Sequence, residues 1–304
     1  MKHIYILLIF EIFFTSCKKT TKNTNGKLQV VTTTTMISDM VKTVGGNVIE
    51  VKGLMGSGVD PHLYKASEGD VSKLSNADVI FYNGLHLEGK LEDVFEKMRH
   101  LGKQTVAIGE SIDKSDLIAS ENFASNYDPH IWFNIKYWEK CTEIVTKSLV
   151  KLNPENTAVF NKNAAAYILK LKQLYAEVTE EVKALPKEKR ILITAHDAFN
   201  YFGQAYNFEV IGLQGLSTAT EAGVKDVQNI ANLIIKYKVK AIFIETSVPK
   251  RTIEALQASV KAKGHEVKIG GELFSDALGN PNTAEGTYIG MYKHNVSTIV
   301  NALK

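Results

Sequence analysis

Between Asn153 and Pro186 the chain carries one unbroken helical pattern, and no other stretch constrains the fold as much. Asn153 is a favoured N-cap, Pro154 suits the first helical position, and Pro186 supplies the stop. Ala164, Ile168, Leu171, Tyr175, Val178, Val182 and Leu185 recur at alternating steps of four and three, drawing one apolar stripe along an amphipathic helix. Lys162, Lys170, Lys172, Glu177, Glu180 and Glu181 lie mostly off it. At roughly 1.5 Å per residue such a helix is about 45 Å long, more than one small domain needs. The alternative is a coiled-coil dimer segment, but only about three heptads hold the repeat, fewer than such segments usually sustain. The pattern predicts a rigid spine, residues 153–186, joining two lobes.

On both sides of the spine, short β-type runs alternate with helical patterns. Before it, strands are predicted at Leu28–Thr33, Val48–Leu54, Asp78–Tyr82 and Gln104–Ile108. Helices are predicted at Met36–Val44, Ser67–Leu74, Leu91–His100 and Ile135–Leu152, and Ser67 and Asp70 have capping-box spacing. After it, strands at Arg190–Thr194, Phe208–Leu213, Lys240–Glu245 and Glu266–Ile269 alternate with helices at Ala198–Tyr206, Glu221–Tyr237, Lys250–Lys263 and Thr283–Leu303. This is an α/β chain of two lobes, 28–152 and 187–304, each a mostly parallel sheet flanked by helices. Ligands bind such sheets beyond the carboxyl ends of the strands, so a site belongs in the cleft between the lobes.

The first residues stand apart from the fold. Lys2 and His3 precede the apolar run Ile4–Phe14, then Thr15-Ser16-Cys17. A basic start, an apolar run too short to span a bilayer comfortably, and small residues before a break describe a secretory signal over 1–17. Phe14-Thr15-Ser16-Cys17 resembles a bacterial lipobox, with Phe14 where most carry Leu. That resemblance implies cleavage before Cys17 and a lipid on its thiol, hence a membrane anchor outside the cytoplasm. Residues 18–27 contain only Lys, Thr, Asn and Gly and read as a flexible tether. Cys141, the other of the 2 cysteines, reads as a small core residue. A net charge of +3 with no basic block in the folded part gives nucleic-acid binding no support.

Two of the 8 histidines sit in the same tripeptide, Asp60-Pro61-His62 and Asp128-Pro129-His130. His196 follows the strand ending at Thr194, and Asp276 follows the one ending at Ile269, both at carboxyl ends. Imidazole and carboxylate are ordinary ligands for zinc and related divalent ions. No pair has i, i+4 helical spacing, so tertiary structure would have to assemble a site. Asp60 or Asp128 could orient its own histidine. Each residue has an ordinary alternative: a loop histidine is often only hydrogen-bonded, and Asp128 or Asp276 could cap a turn. His100 suits a helix C-terminus, and His265 and His294 read as exposed.

A set of motifs in order adds to this reading. They are Val31-Thr32-Thr33-Thr34-Thr35-Met36, Asp60-Pro61-His62, Asn83-Gly84-Leu85-His86-Leu87-Glu88, Asp128-Pro129-His130-Ile131-Trp132, Thr194-Ala195-His196-Asp197-Ala198-Phe199, Ile244-Glu245-Thr246-Ser247 and Leu273-Phe274-Ser275-Asp276-Ala277-Leu278-Gly279. From about Leu28 to the C-terminus the chain resembles the zinc/manganese-binding solute-binding proteins of bacterial ABC importers. The resemblance implies two α/β lobes bridged by one long helix, with His62, His130, His196 and Asp276 as metal ligands. His86 lies in a family motif but is not a usual ligand. The stretch Ser111–Tyr127 lacks the histidines that many zinc-specific members carry there, and His196 stands where many manganese members have Glu.

The resulting expectation is a monomeric, lipid-anchored receptor, not an enzyme. It would take a divalent transition metal as cargo, zinc before manganese, and pass it to an ABC permease. Rival readings are a secreted zinc hydrolase, a surface adhesin with a structural metal, and a receptor for a chelated metal or corrinoid. Glu245 is a further candidate partner for a ligand histidine, and the one candidate general base if the site is hydrolytic.

Overall fold

The computed structural model describes residues 26–121 and 123–304. The signal segment, Cys17 and residues 18–25 of the tether lie outside them. In the first half, β1 (Leu28–Thr32), β2 (Ile49–Gly53), β3 (Val79–Tyr82) and β4 (Gln104–Ala107) form one parallel sheet in the order β2-β1-β3-β4. Helices α1 (Thr35–Gly45), α2 (Glu68–Ser75), α3 (Glu92–His100) and α4 (Ile135–Leu152) flank it. The capping box holds: the Ser67 hydroxyl accepts from Asp70 N–H, and the Asp70 carboxylate accepts from Ser67 N–H. The second half contains β5 (Ile191–His196), α6 (Asn200–Tyr206), β6 (Glu209–Gln214), α7 (Val224–Tyr237), β7 (Ala241–Glu245), α8 (Arg251–Ala262), β8 (Lys268–Leu273) and α9 (Tyr288–Leu303). Its strands form two parallel pairs, β5–β6 and β7–β8, with β5 lying beside β7.

The spine is α5 (Thr157–Lys183), 27 residues long. It starts later than the sequence suggests. Asn153 and Pro154 open a 3₁₀ turn, Pro154–Asn156, and the α-helix follows without a side-chain cap. The buried stripe is Phe160, Ala164, Tyr167, Leu171, Leu174, Val178 and Val182, with Ile168 and Tyr175 only half-buried at its edge. The stripe is rotated because α5 packs on α4 and α1 from one half and α9 from the other. Among the described residues no helix is long and apolar enough to cross a membrane.

Strand periodicity explains how one helix serves two sheets. Successive strand residues face opposite sides. Val30, Phe81, Leu192 and Phe243 join a single apolar cluster that includes the spine and continues to Leu303. Their neighbours Val31 and Ile80 pack on α2 and α3 residues, and Ile193 and Ile242 on α7 and α8 residues, in two separate outer clusters. The central cluster crosses from one half to the other. Trp138 stacks on Tyr288 at 5.1 Å, and the Tyr288 and Tyr292 hydroxyls donate to the Trp132 and Phe133 carbonyls at 2.7 and 2.8 Å.

Several boundaries move for local reasons. β5 runs on to His196, which pairs with Gln214, so the histidine is the last residue of the strand rather than a loop residue beyond it. Helices α7 and α9 begin at their caps, Gly223 and Thr287, later than hydropathy alone places them. β8 continues through Gly270-Gly271 to Leu273 instead of stopping at Ile269. A Cβ on Gly270 would lie within 3 Å of Phe243, Ala241 and Ala302, so this glycine marks a close approach inside a strand, not its end.

Candidate metal centre

Each Asp-Pro-His tripeptide folds into the same local turn. The Asp60 carboxylate accepts from the His62 N–H at 2.8 Å, and the Asp128 carboxylate from the His130 N–H at 2.9 Å, while the intervening proline fixes its own φ. His62 lies in the loop after β2, and His130 leads into a single 3₁₀ turn, Ile131–Phe133, before α4. The Asn83 amide donates to the Pro129 carbonyl at 2.9 Å and steadies the second tripeptide. His196 ends β5, and Asp276 sits in the loop after β8. That loop is held by Asn295, which bonds both N–H and C=O of Phe274, and by the Trp132 indole, which donates to the Ser275 carbonyl at 2.9 Å.

These four side chains converge. Ligand atoms of His62, His130, His196 and Asp276 all lie within 4.8 Å of one another, and all four residues are buried. The Nε2 atoms of His62 and His130 are 3.3 Å apart. Asp276 Oδ2 lies 3.2 Å from His196 Nε2 and 3.9 Å from His62 Nε2, and its Oδ1 lies 3.7 Å from His130 Nε2. Tetrahedral donors at about 2.0–2.1 Å from one ion sit about 3.3 Å from each other, so the cluster is close to that size. Two of its atoms, His196 Nε2 and Asp276 Oδ1, are buried without any hydrogen-bond partner. Buried polar atoms are nearly always satisfied, and a cation would satisfy both. The donor set, three imidazoles and one carboxylate, fits a divalent transition metal.

The outer nitrogens complete the arrangement. His130 Nδ1 is 2.7 Å from Asp128 Oδ1, and His196 Nδ1 bonds Glu245 Oε2. An imidazole whose Nδ1–H donates to a carboxylate turns its Nε2 lone pair toward the centre. Glu245 Oε1 also accepts the His196 N–H at 2.9 Å. Asp60 acts otherwise: it holds the His62 backbone and accepts from the Thr218 hydroxyl, but makes no bond to the His62 ring. Burial pushes the His62 imidazolium down to about 3, helped by the neighbouring histidines and opposed by Asp276. Burial also works against a charge on His196, but Asp276 and Glu245 outweigh it and hold that ring well above the usual imidazole range. Burial disfavours the Asp276 carboxylate, yet His196 and the other two rings keep it below the usual carboxylate range. The centre is thus built around positive charge.

The family model for the zinc-uptake complex component A, periplasmic (ZnuA), matches residues 30–302. The chain belongs to this family. It joins the zinc/manganese-binding solute-binding proteins of metal ABC importers. The zinc-binding protein TroA of Treponema pallidum (strain Nichols) is 51% identical over 279 residues, covering 92% of this chain and 90% of TroA. The manganese-binding lipoprotein MntA of Bacillus subtilis (strain 168) is 46% identical over 283 residues, covering 93% and 92%. The solved structure of periplasmic TroA superposes with a TM-score of 0.89, covering 91% of this chain and 99% of the chain in that structure, and shares the two-lobed fold.

The remaining candidates fall outside the cluster. His86 bonds Glu92 beside α3, and His100 ends α3 near Glu96. His265 is half-buried rather than exposed. So is His294, whose ring packs on Phe274 and bonds the Glu272 carbonyl, because α9 lies against β8. Cys141 is fully buried, and burial pushes its thiol up to about 12. Sequence reasoning missed Asn200, Tyr201 and Thr218, which reach the two aspartates from the other half. Asn200 Nδ2 donates to Asp128 Oδ2 at 3.1 Å, and the Tyr201 hydroxyl to the Asp128 carbonyl at 2.9 Å. No local signal marks these residues. For Glu88 the signal was present in the Asn83–Glu88 motif: its buried carboxylate accepts from Thr33, Asn83 and Gly84 and ties β1 to the turn after β3.

Proposed function

We propose that this chain is an extracytoplasmic receptor that captures one divalent transition metal between its lobes and delivers it to an ABC permease. The observation that carries the reading is the convergence of four buried donors from both halves of the chain, two of them otherwise unsatisfied. The ligands are His62, His130, His196 and Asp276, with Asp128 and Glu245 orienting two of the rings. The lobes divide as 28–152 and 187–304 about the spine. Zinc outbinds manganese at such a site whatever the physiological cargo, because affinity follows the Irving–Williams order. Relatives named for each metal support the same cargo class.

The arrangement favours a receptor over a hydrolase. A catalytic zinc keeps one position open for water. Here four protein donors surround the centre. Glu245, the one candidate base, has both oxygens committed to His196. Buried bonds between the lobes on the spine side favour small shifts over wide hinge opening. Anchoring runs through a lipid on Cys17, and Cys17→Ser is expected to move the protein from the membrane to the soluble fraction. Metal analysis of protein purified without added metal, followed by competition titration, tests the receptor reading. One zinc or manganese per chain is expected, and a chain that binds neither overturns it.

A further inference from the structure

Both Asp-Pro-His turns use one carboxylate oxygen to hold the histidine backbone and the other to reach the opposite half of the molecule. Asp128 Oδ2 accepts from Asn200 at 3.1 Å, and Asp60 Oδ2 accepts from Thr218 Oγ1 at 2.5 Å. The two anchors differ in kind. Asn200 opens helix α6, and its neighbour Tyr201 is fully buried, also donating to the Asp128 carbonyl and accepting from the Ile118 N–H. Thr218 lies in the segment 215–223 between β6 and α7, and no residue from Gly215 to Asn229 is buried. That segment borders a cleft of about 580 Å³ lined by Ser120, Phe123, Asp197, Gln214 and Thr220 among others, so it has room to swing.

The ligands behind these anchors differ too. The His130 ring is fixed by Asp128 through Nδ1, whereas the His62 ring has no carboxylate behind it and depends on its backbone turn. On the spine side the halves are joined by the buried Trp132, Tyr288 and Tyr292 bonds, so that side cannot be the one that parts first. We infer that Thr218 is a positioning residue that latches the segment 215–223 onto Asp60, and that breaking this bond, while Ser57 still holds the same loop to the Gly279 carbonyl, loosens His62 and starts metal release. The inference rests on the receptor reading. It makes His62 the first ligand to leave and Asp276, His196 and His130 the set that holds the ion until then.

The test is the rate of zinc release from the full chain into excess chelator, followed by stopped flow. A hydrogen bond to a charged acceptor is worth a factor of about ten to a hundred. Thr218→Val, which keeps the shape and removes the hydroxyl, is expected to release zinc at least about tenfold faster, and Thr218→Ala equally so. Thr218→Ser restores the hydroxyl and is expected to stay within about twofold of the parent rate. The melting temperature of the metal-free protein is expected to fall in the valine and alanine variants and to hold in the serine variant. Parent-like release from the valine and alanine variants, or fast release from the serine variant, overturns the latch and leaves the receptor reading standing. A parent protein that binds neither zinc nor manganese overturns the receptor reading itself, and the latch with it.

Discussion

His196 draws its support from its own half of the chain and Asp276 sits in a loop held from both halves, while the aspartates beside His62 and His130 reach into the other half. The His196 ring and N–H are both held by Glu245, one strand away on β7. Asp276 is flanked by Ser275 and Ser247, whose hydroxyls lie 2.8 Å apart, in a loop that Asn295 ties to α9. By contrast, the aspartates behind His62 and His130 are each bonded to residues beyond the spine, Thr218 and Asn200. The C-terminal half therefore carries a preformed His–carboxylate pair, and the N-terminal half completes it only when the lobes are in register. A site divided this way could hold an ion tightly and still surrender it through a small displacement, because the His62 ring, with no carboxylate behind it, depends on a turn tied to the other half.

The largest effect should come from removing the shared anion. Asp276→Ala deletes the carboxylate that, among the described residues, alone faces all three histidines, and should weaken zinc more than about a hundredfold. Even partners one bond removed from a metal are worth 10–100-fold. Metal competition titration measures this, with His265→Ala as a control expected to match the parent. An Asp276→Ala protein of parent affinity would mean that the histidines alone make the site.

Glu245→Gln and Asp128→Asn set the two halves against each other. Both remove the carboxylate behind a ligand ring, so each should cost roughly 10–100-fold in zinc affinity. Only Asp128→Asn also loosens a contact between the halves. The carboxylate accepts from the His130 N–H, the His130 ring and the Asn200 amide, and a side-chain amide in its place has one oxygen to serve three donors. The substitution should reduce the stability of the metal-free protein by about 1–3 kcal/mol through the bonds to Asn200 and His130. Chemical denaturation of the metal-free variants measures the difference. An Asp128→Asn protein of parent stability would contradict the claim that the Asp128 turn is held from across the cleft.

The proton balance sharpens the comparison further. His62 is pushed down from 6.5 to about 3, so in the folded metal-free protein it is neutral at pH 7 and has no proton to give. Its contribution to stability is complete above pH 6.5 and is lost as the pH falls from there toward about 3. His196 is raised above 6.5, so its contribution is complete below that value and is lost as the pH rises through the raised value. Zinc must displace that proton. Calorimetric titration at pH 7 in buffers of different ionisation enthalpy should therefore show proton release on binding, carried by His196. Affinity should fall by up to about tenfold per pH unit on acidification through this range. Glu245→Gln removes an adjacent negative charge and should reduce the release at pH 7; no change would contradict this account of His196.

What the sequence revealed depended on how local each feature is. The alternation of strands and helices and the α2 capping box are decided within a few residues, and both are read correctly from them. The spine was visible as a periodic stripe, but its face was set by α4, α1 and α9, which is why Tyr167 and Leu174 lie deeper than Ile168 and Tyr175. Gly270-Gly271 resembles a strand end until the packing of Phe243 and Ala302 is known. Of the centre, the two tripeptides stand out by repetition and His196 and Asp276 by their place at strand carboxyl ends, while only the family resemblance joins the four into one ligand set. Thr218 and Asn200 were invisible because their contacts span 158 and 72 residues.

The central claim is that one ion is held by three imidazoles and one carboxylate drawn from both halves of the chain. X-ray absorption at the zinc edge, on protein loaded with one equivalent, tests it most directly. The account predicts four nitrogen or oxygen neighbours at about 2.0–2.1 Å, with the multiple-scattering signature of three histidines and no sulfur. The Asp276→Ala variant should replace one oxygen neighbour by solvent and keep all three imidazoles. A parent spectrum with two or fewer imidazoles, or an Asp276→Ala spectrum that loses one of them, would contradict a centre shared between the lobes.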